Sequence, residues 1–270
     1  MSVGKVFQVG VSYAQSLISY HSRGKPHPFS ASFVVTNRCN LRCVYCNFPN
    51  LKSRELSLAE IEQLFGKLWK MGVRRLSLLG GEPMARKDFP QILDLASKMG
   101  FYVSLNSNLV LYERNKEKLN SVDYFFTSLD GTPERHLKNR GAHDYDGVIE
   151  AIRDIVKRGK KLTAICVVTD PDRESADYLL SLAEREGIDI HFQPEGYDAE
   201  SAGRSAPDSL VQQEMQEHWQ YLLSRKQNGA PIATSAKFLE FTSQWEDYSK
   251  TAVYDSQERC SAGHGFLFID

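Results

Sequence analysis

A regular alternation of apolar, strand-length runs with amphipathic segments, from residue 29 to residue 194, most restricts how this chain can fold. Strand patterns cover residues 29–36, 73–79, 101–107, 123–129, 161–169 and 188–194, and helical patterns cover 57–72, 88–100, 114–122, 145–159 and 173–187. Nearly continuous apolar strands separated by helices are typical of a parallel sheet covered by helices. Because such units wind right-handedly, we expect an α/β fold, either a doubly wound sheet or part of a TIM barrel.

Composition narrows the class of protein further. The chain has 270 residues, of which 41% are hydrophobic and 25% charged, which is ordinary for a globular protein with one sizeable core. A net charge of −1 gives no electrostatic reason to expect nucleic-acid binding. Five cysteines, three of them within eight positions, argue against a secreted disulfide scaffold and predict reduced thiols in the cytoplasm.

The termini divide the chain into three predicted parts. Residues 1–28 form an amphipathic helix and a basic linker, residues 29–205 the barrel, and residues 206–270 two helices followed by the start of a further module. The final segment is apolar, and a strand ending at Asp270 would leave a sheet edge unpaired, so we expect the native chain to continue.

The N-terminal helix has two interpretations. Its apolar residues share one helical face and are Val3, Val6, Phe7, Ala14, Leu17 and Ile18, and a basic segment follows. Polar residues interrupt it too often for a bilayer span or a signal peptide. Either the helix packs against the domain, or it rests on a membrane surface through residues 1–25 and makes the cytoplasmic protein membrane-associated.

Three cysteines follow the first predicted strand. Cys39, Cys43 and Cys46 have the spacing C-x3-C-x2-C. Thiolates at this spacing can bind three irons of a [4Fe–4S] cluster and leave the fourth iron open to a non-protein ligand. Zinc is the alternative, but a structural zinc normally takes four protein ligands, and the sequence has no second Cys-x2-Cys pair.

Further polar and glycine-rich motifs follow the next strands, and together they carry a resemblance. The motif Gly80-Gly81-Glu82-Pro83 follows the second strand, and Tyr45 stands directly before the last cysteine. This combination resembles the radical S-adenosylmethionine (SAM) superfamily over residues 30 to 194. Within it the SPASM or twitch subgroup is the nearest match, with weaker similarity to hopanoid-biosynthesis-type proteins.

The resemblance implies a partial (β/α)6 TIM barrel, a [4Fe–4S] cluster on Cys39, Cys43 and Cys46, and SAM on the open iron. The residues that it places against SAM are Tyr45, Gly80, Gly81, Glu82, Pro83, Asn108, Ser128 and Asp130. In that comparison Glu82 bonds the methionyl ammonium and Tyr45 lies near the adenine. Leu109 departs from the pattern, because relatives have glycine at this position.

The implied activity is reductive cleavage of SAM to a 5′-deoxyadenosyl radical, which abstracts hydrogen from a substrate or adds to it. Such an enzyme takes its electron from a donor such as ferredoxin or flavodoxin. We expect a small-molecule or lipid-linked substrate, with a SPASM-type peptide or protein maturase as the alternative. A non-catalytic iron–sulfur electron carrier or a SAM-binding sensor is the alternative from another class.

The remaining candidates lie late in the chain. Cys260, in a segment resembling the start of a SPASM or twitch extension, is predicted as a ligand of an auxiliary iron–sulfur cluster if the chain continues past residue 270. Gln193, Glu195 and Tyr197 follow the sixth strand as candidates for a substrate-facing rim. Cys166, in the middle of a strand pattern, is expected to be a buried packing thiol.

Overall fold

The computed structural model describes residues 3–22, 24–195, 209–245, 248 and 261–270. Its strands are β1 (Ser30–Thr36), β2 (Arg75–Gly80), β3 (Tyr102–Ser107), β4 (Tyr124–Ser128), β5 (Lys161–Val168), β6 (Asp189–Pro194) and β7 (Phe266–Ile269). Its helices are α1 (Val3–His21), α2 (Leu58–Met71), α3 (Phe89–Lys98), α4 (Tyr112–Asn115), α5 (Pro133–Arg140), α6 (Tyr145–Lys157), α7 (Arg173–Glu186), α8 (Ser209–Gln227) and α9 (Ala236–Ser243).

The strands form one sheet in the order β6-β5-β4-β3-β2-β1-β7. β1 to β6 therefore follow one another across the sheet in chain order, whereas a doubly wound sheet reverses its order at a switch point. The pairings of β1 with β2, β2 with β3, β5 with β6 and β1 with β7 are parallel. The prediction of an α/β fold with a partial parallel barrel and an N-terminal helix is confirmed.

Local signals set most element boundaries where the sequence predicts them. Helix α2 starts after Ser57, whose side chain accepts from the backbone N–H of Glu60 while the Glu60 side chain accepts from the Ser57 N–H. It ends at Gly72, whose φ of 108° lies in the left-handed region that glycine adopts without strain. These two signals place the helix within the pattern predicted over residues 57–72.

Helix α5 was not among the predicted elements, although the sequence carries its signals. Thr132 is the N-cap and accepts from the Arg135 N–H, Pro133 occupies the first turn, and Gly141 ends the helix at φ 65°. The pattern Thr-Pro followed eight residues later by glycine is the usual asymmetry of helix ends. Its mean hydropathy is low, so a search for apolar periodicity passes over it.

The chain divides into two compact units. The first comprises Met1–Asn40, Phe48–Phe126 and Glu258–Asp270, and the second Leu41–Asn47 and Thr127–Gln257. In the first unit the core is built around Phe33, Phe65 and Phe101, whose rings make edge-to-face contacts with centroids 5.8 Å apart. In the second unit Trp219 and Leu222 of α8 are fully buried with Leu239 of α9.

Helix α1 packs with the opposite face from the one that its hydrophobic pattern predicts. Ser12 and Ser16 are buried, and the hydroxyl of Ser12 donates to the Gly72 carbonyl at 2.6 Å. Val3, Phe7 and Ile18 remain exposed. Helix α1 thus packs against the domain, as one of its two interpretations expects, and hydrogen bonds hold it there through its polar face. In the described parts of the chain, no helix has the length and apolar character needed to cross a membrane.

Candidate active site

The cysteine loop begins where β1 ends. Cys39, Cys43 and Cys46 are half-buried within residues 37–47, and none of the three is in a disulfide. Among the described residues, no three side chains of His, Cys, Asp or Glu are arranged to hold a metal ion. The assignment of a cluster to these thiols therefore depends on their number, spacing and chemistry. Three soft thiolates suit the irons of an iron–sulfur cluster, so the donor set fits this cofactor.

Gly80 and Gly81 form a tight seat for the first residues of this loop. The N–H of Gly81 donates to the Thr36 carbonyl and the N–H of Glu82 to the Arg38 carbonyl, both at 2.8 Å. A Cβ on Gly80 would lie 2.2 Å from the Thr36 oxygen, and one on Gly81 would lie 2.4 Å from the Arg38 oxygen. Only glycine permits this approach. The two glycines therefore shape the segment that leads into Cys39.

Glu82 is fully buried, and protein groups occupy its carboxylate. The backbone N–H groups of Met84 and Asn108 donate to it at 3.1 and 2.9 Å, and the Ser107 hydroxyl lies 3.0 and 3.1 Å from its two oxygens. Burial raises the pKa of Glu82 to about 7, against the opposing effect of these hydrogen bonds. Glu82 thereby ties the turn after β2 to the turn after β3. This role differs from the predicted bond to an ammonium group.

The turn after β3 reaches back to the cysteine loop. The Asn108 side-chain amide donates to the Asn40 side chain at 2.8 Å and lies 4.0 Å from the Cys39 sulfur. Leu109 has φ 59° and is the one described non-glycine residue with positive φ. It thus adopts the left-handed conformation that glycine reaches without strain, and its side chain is buried, with 1% exposed.

An ion pair that sequence reasoning missed lies beside the same loop. The Arg38 guanidinium donates from Nε and Nη2 to the two Glu55 oxygens at 2.9 and 2.6 Å. Glu55 also accepts from the Thr36 hydroxyl at 2.5 Å. These contacts hold Thr36, the last residue of β1, and Arg38, the residue directly before Cys39. No local sequence motif predicts the Arg38–Glu55 pair, because the two residues are 17 positions apart and lie in irregular segments.

A second network holds the later part of the loop. The Tyr45 hydroxyl donates to one Asp130 oxygen at 2.7 Å, and the Arg140 guanidinium donates to the other at 2.9 Å. The same Asp130 oxygen accepts from the Val167 N–H at 3.2 Å. Burial raises the pKa of the Tyr45 hydroxyl, so it is protonated and can donate. The predicted SAM contacts Tyr45 and Asp130 are therefore brought together, as partners of each other.

Helix α5 supplies both anchors of this network. Its Asn139 carbonyl accepts from the Val44 N–H at 2.8 Å. Its Arg140 guanidinium lies over the Tyr45 ring at 5.4 Å while it pairs with Asp130. Burial opposes the charge on Arg140, but the neighbouring Asp130 raises its pKa on balance, so the buried pair is ionised. The helix that the sequence patterns missed thus positions Cys43 and Cys46 through their neighbours.

The other candidates are more scattered. Pro83 starts a short turn after Glu82, and Ser128 is half-buried at the end of β4. Gln193 is half-buried in β6, and Glu195 is buried directly after it, with its N–H donating to the Val168 carbonyl. Cys166 is buried in β5, as expected of a packing thiol. Tyr197 and Cys260 lie outside the described residues.

Comparison with known proteins supports a family assignment. The sequence model of the radical SAM superfamily matches residues 33–196. The GTP 3′,8-cyclase of Marinobacter nauticus is 30% identical over 173 residues, which is 58% of this chain and 51% of that protein. Mycofactocin maturase MftC of Mycolicibacterium smegmatis is 29% identical over 194 residues, 68% of this chain and 50% of the maturase. The chain thus spans about half the length of these curated relatives.

Solved structures share the fold. SuiB of Streptococcus suis, in its crystal structure with S-adenosylmethionine, has a TM-score of 0.66 at 19% identity, over 78% of this chain and 50% of SuiB. Methylornithine synthase PylB has a TM-score of 0.53 at 14% identity, over 96% of this chain and 85% of PylB. Since the superfamily match covers more than half of the chain and contains the three cysteines, the chain belongs to the radical SAM superfamily.

Proposed function

We propose that Cys39, Cys43 and Cys46 bind three irons of a [4Fe–4S] cluster and that SAM binds the fourth. The family implies both cofactors. The observation that carries the residue assignment is the seat at Gly80 and Gly81, where backbone hydrogen bonds hold the segment leading into Cys39. When bound, the two cofactors supply a 5′-deoxyadenosyl radical from an external electron.

In this proposal the chain's own residues act by positioning. Glu82 fixes the turns after β2 and β3, and Asn108 extends from the second turn to Asn40, next to Cys39. Tyr45, held by Asp130, fixes the loop between Cys43 and Cys46. The proposed SAM contacts remain Tyr45, Gly80, Gly81, Glu82, Pro83, Asn108, Ser128 and Asp130. Gln193 and Glu195, at the carboxyl end of β6, remain the proposed substrate-facing residues.

The proposed reaction is hydrogen abstraction from, or radical addition to, a small molecule or a lipid-linked compound. A nucleotide and a porphyrin are named in the relatives GTP 3′,8-cyclase and Fe-coproporphyrin III synthase, which supports a small substrate. A peptide substrate is the second candidate, because mycofactocin maturase matches over a larger share of this chain, 68%. A ferredoxin or flavodoxin is the proposed electron donor.

The test begins with anaerobic reconstitution using iron and sulfide. Incubated with SAM and dithionite, the wild-type protein should release 5′-deoxyadenosine, measured by liquid chromatography and mass spectrometry. Cys43→Ala should release none and should bind less iron. Cys166→Ala is the matched control, since this thiol is buried in β5 outside the motif, and it should keep both iron and product.

The alternatives give different results in the same experiment. A protein that holds the cluster and binds SAM but yields no 5′-deoxyadenosine with dithionite, titanium(III) citrate or reduced flavodoxin is a sensor or an electron carrier. A colourless protein with one zinc per chain would overturn the cluster assignment. The enzyme is then incubated with synthetic peptides or with small-molecule extracts. The class in which a compound is consumed identifies the substrate class.

A further inference from the structure

Helix α1 is held to the protein by its polar side. The Lys5 ammonium donates to Asp123 at 2.9 Å, and the Ser12 hydroxyl donates to the Gly72 carbonyl. Ser12 and Ser16 are the buried residues of the helix. At 100° per residue, Lys5, Ser12 and Ser16 lie within one narrow arc. The polar arc of an amphipathic helix thus faces the domain, and the apolar arc faces outward.

The outward arc is apolar along the whole helix. Val3, Phe7 and Ile18 are 83%, 71% and 69% exposed. The other exposed apolar residues of the arc are Val6, Val11, Tyr13 and Leu17, with the small Gly10 and Ala14 among them. The arc spans about 160°, and between Val3 and Tyr20 it contains no charged side chain. Nineteen residues give this apolar surface a length of ~28 Å.

The charges that border this surface have one sign. The sequence contains no Asp or Glu before Glu55. His21 and Lys25 follow at the end of the helix and are exposed, and Arg23 and His27 belong to the same stretch of sequence. An uncharged apolar helix face bordered by cations complements an anionic bilayer, where the apolar side chains enter the acyl boundary and the cations meet headgroups.

We propose that α1 anchors the protein to the surface of an anionic lipid bilayer, lying in the plane of the headgroups with its apolar arc inserted. A protein partner would be expected to bring hydrogen bonds to a polar rim around such a surface. Here Lys5, Ser12 and Ser16 already face the domain, and the apolar arc itself has no charged side chain to pair with a partner protein. This proposal does not depend on the proposed function.

The geometry makes α1 an anchor and not a route for lipid into the site. Its contacts are with Gly72, Asp123 and Phe29, and each of these residues lies within three positions before a strand starts. They therefore mark the amino ends of β2, β4 and β1. Cys39 follows the carboxyl end of β1, a strand of seven residues or ~23 Å. On a bilayer, Cys39 would therefore lie at the end of β1 that is farther from the lipid.

The experiment is vesicle flotation with the full chain. We expect the wild type to float with vesicles of phosphatidylcholine containing 30% phosphatidylglycerol, at least tenfold more than with phosphatidylcholine alone. Phe7→Asp with Ile18→Asp should lower the flotation at least tenfold. Lys25→Glu should lower the binding to the anionic vesicles and leave binding to phosphatidylcholine unchanged.

Phe241→Asp in α9 is the matched control, because this phenylalanine is also exposed, at 52%, but outside α1. It should float like the wild type, and circular dichroism should show all variants folded. Flotation of the wild type with neither vesicle, or equal loss with Phe241→Asp, would overturn the proposal. It would also fail if light scattering showed a dimer that Phe7→Asp dissociates, since the arc would then be an interface between two copies.

Discussion

At the scale of single residues, the site depends on the close approach of two carbonyl oxygens to Gly81. Gly81 has the carbonyl oxygens of Arg38 and Asn37 at 2.4 and 2.7 Å from the position of a Cβ, and neither oxygen can yield without moving the loop backbone. Glycine is therefore required at this position by contacts within the protein itself, whether or not a cofactor is bound.

Gly81→Ala should displace the cysteine loop. We expect iron bound after reconstitution to fall by more than half, and unfolding free energy to drop by ~1–3 kcal/mol, the usual cost of forced overpacking. Iron assay and denaturant unfolding measure the two effects. Gly66→Ala is the control, because nothing lies within 4 Å of its Cβ position in α2, and alanine favours helix. Equal iron content in both variants would contradict the claim that Gly81 shapes the cysteine loop.

The buried carboxyl of Glu82 makes stability depend on pH. Its pKa is raised from 4.5 to about 7 in the folded protein, so the folded state holds a proton that the unfolded state has released. The contribution of this carboxyl to the free energy of unfolding is fully present below pH 4.5. It is lost as the pH rises through about 7, and the total loss is ~3 kcal/mol.

Glu82→Gln should remove that loss, because glutamine does not ionise. The free energies of unfolding of wild type and variant, measured from pH 5 to 8, should differ by an amount that changes through this range. This difference reports the titration of Glu82 alone, since all other groups titrate in both proteins. The variant also leaves a backbone N–H facing an amide NH2, so we expect it to be less stable at pH 5. A constant difference would refute the assignment.

At the scale of elements, helix α5 determines the later half of the cysteine loop. Its Arg140 pairs with Asp130, and both side chains are almost completely buried. Removing one member of a buried pair leaves the other charge without a partner in a low-dielectric environment. The intact pair therefore contributes little to the free energy of unfolding, but removal of one partner lowers that free energy strongly.

Arg140→Met should lower the unfolding free energy by about 3–5 kcal/mol, because Asp130 would keep a buried, unpaired charge. Arg54→Met should change it much less, since the Arg54–Glu60 pair is exposed to solvent. Urea unfolding of the cluster-free proteins measures both values. If Asp130→Asn combined with Arg140→Met does not recover part of the loss, the buried-charge explanation fails.

Sequence patterns predict the elements to different degrees. The capping box at Ser57 and the apolar stripe of α6 are local, so both boundaries are close to the predicted ones. Helix α5 is polar, and the periodicity that identifies buried helices misses it. The sequence left two interpretations of α1 open, because its contacts Gly72 and Asp123 lie 60 and 118 residues from their partners in the sequence.

The site shows the same limit. The spacing of Cys39, Cys43 and Cys46 identifies the family, since it is contained in eight residues. The partners of Glu82, Tyr45 and Arg38 are not contained in any motif. Their hydrogen bonds join segments that meet only when the strands pair.

At the scale of the whole molecule, the strands and their cores do not involve the cluster cysteines. Those three thiols are half-buried, while the core is formed by the strands and helices. Folding and cofactor binding should therefore be separable, unlike in small zinc domains that unfold without metal.

A variant with Cys39, Cys43 and Cys46 all changed to Ala should keep the far-ultraviolet circular dichroism of the wild type. Without cofactors, its unfolding free energy should lie within ~1 kcal/mol of the wild-type value, because alanine replaces side chains that are partly in solvent. Cys166→Ala, at the buried thiol, should cost more than the triple change. An unfolded triple variant would show that the thiols themselves hold the fold together.

The seat at Gly80 and Gly81 also sets an order of events in the life of the protein. Backbone hydrogen bonds from Gly81 and Glu82 shape the start of the loop using peptide groups alone, so the Cys39 end of the loop is already shaped when iron arrives. If the three cysteines bind the cluster as proposed, iron and sulfide would reach them after folding, at thiols that are half-buried. The interval between synthesis and loading is when these cysteines are open to oxidation, so the supply of iron and sulfide determines the fraction of chains that mature.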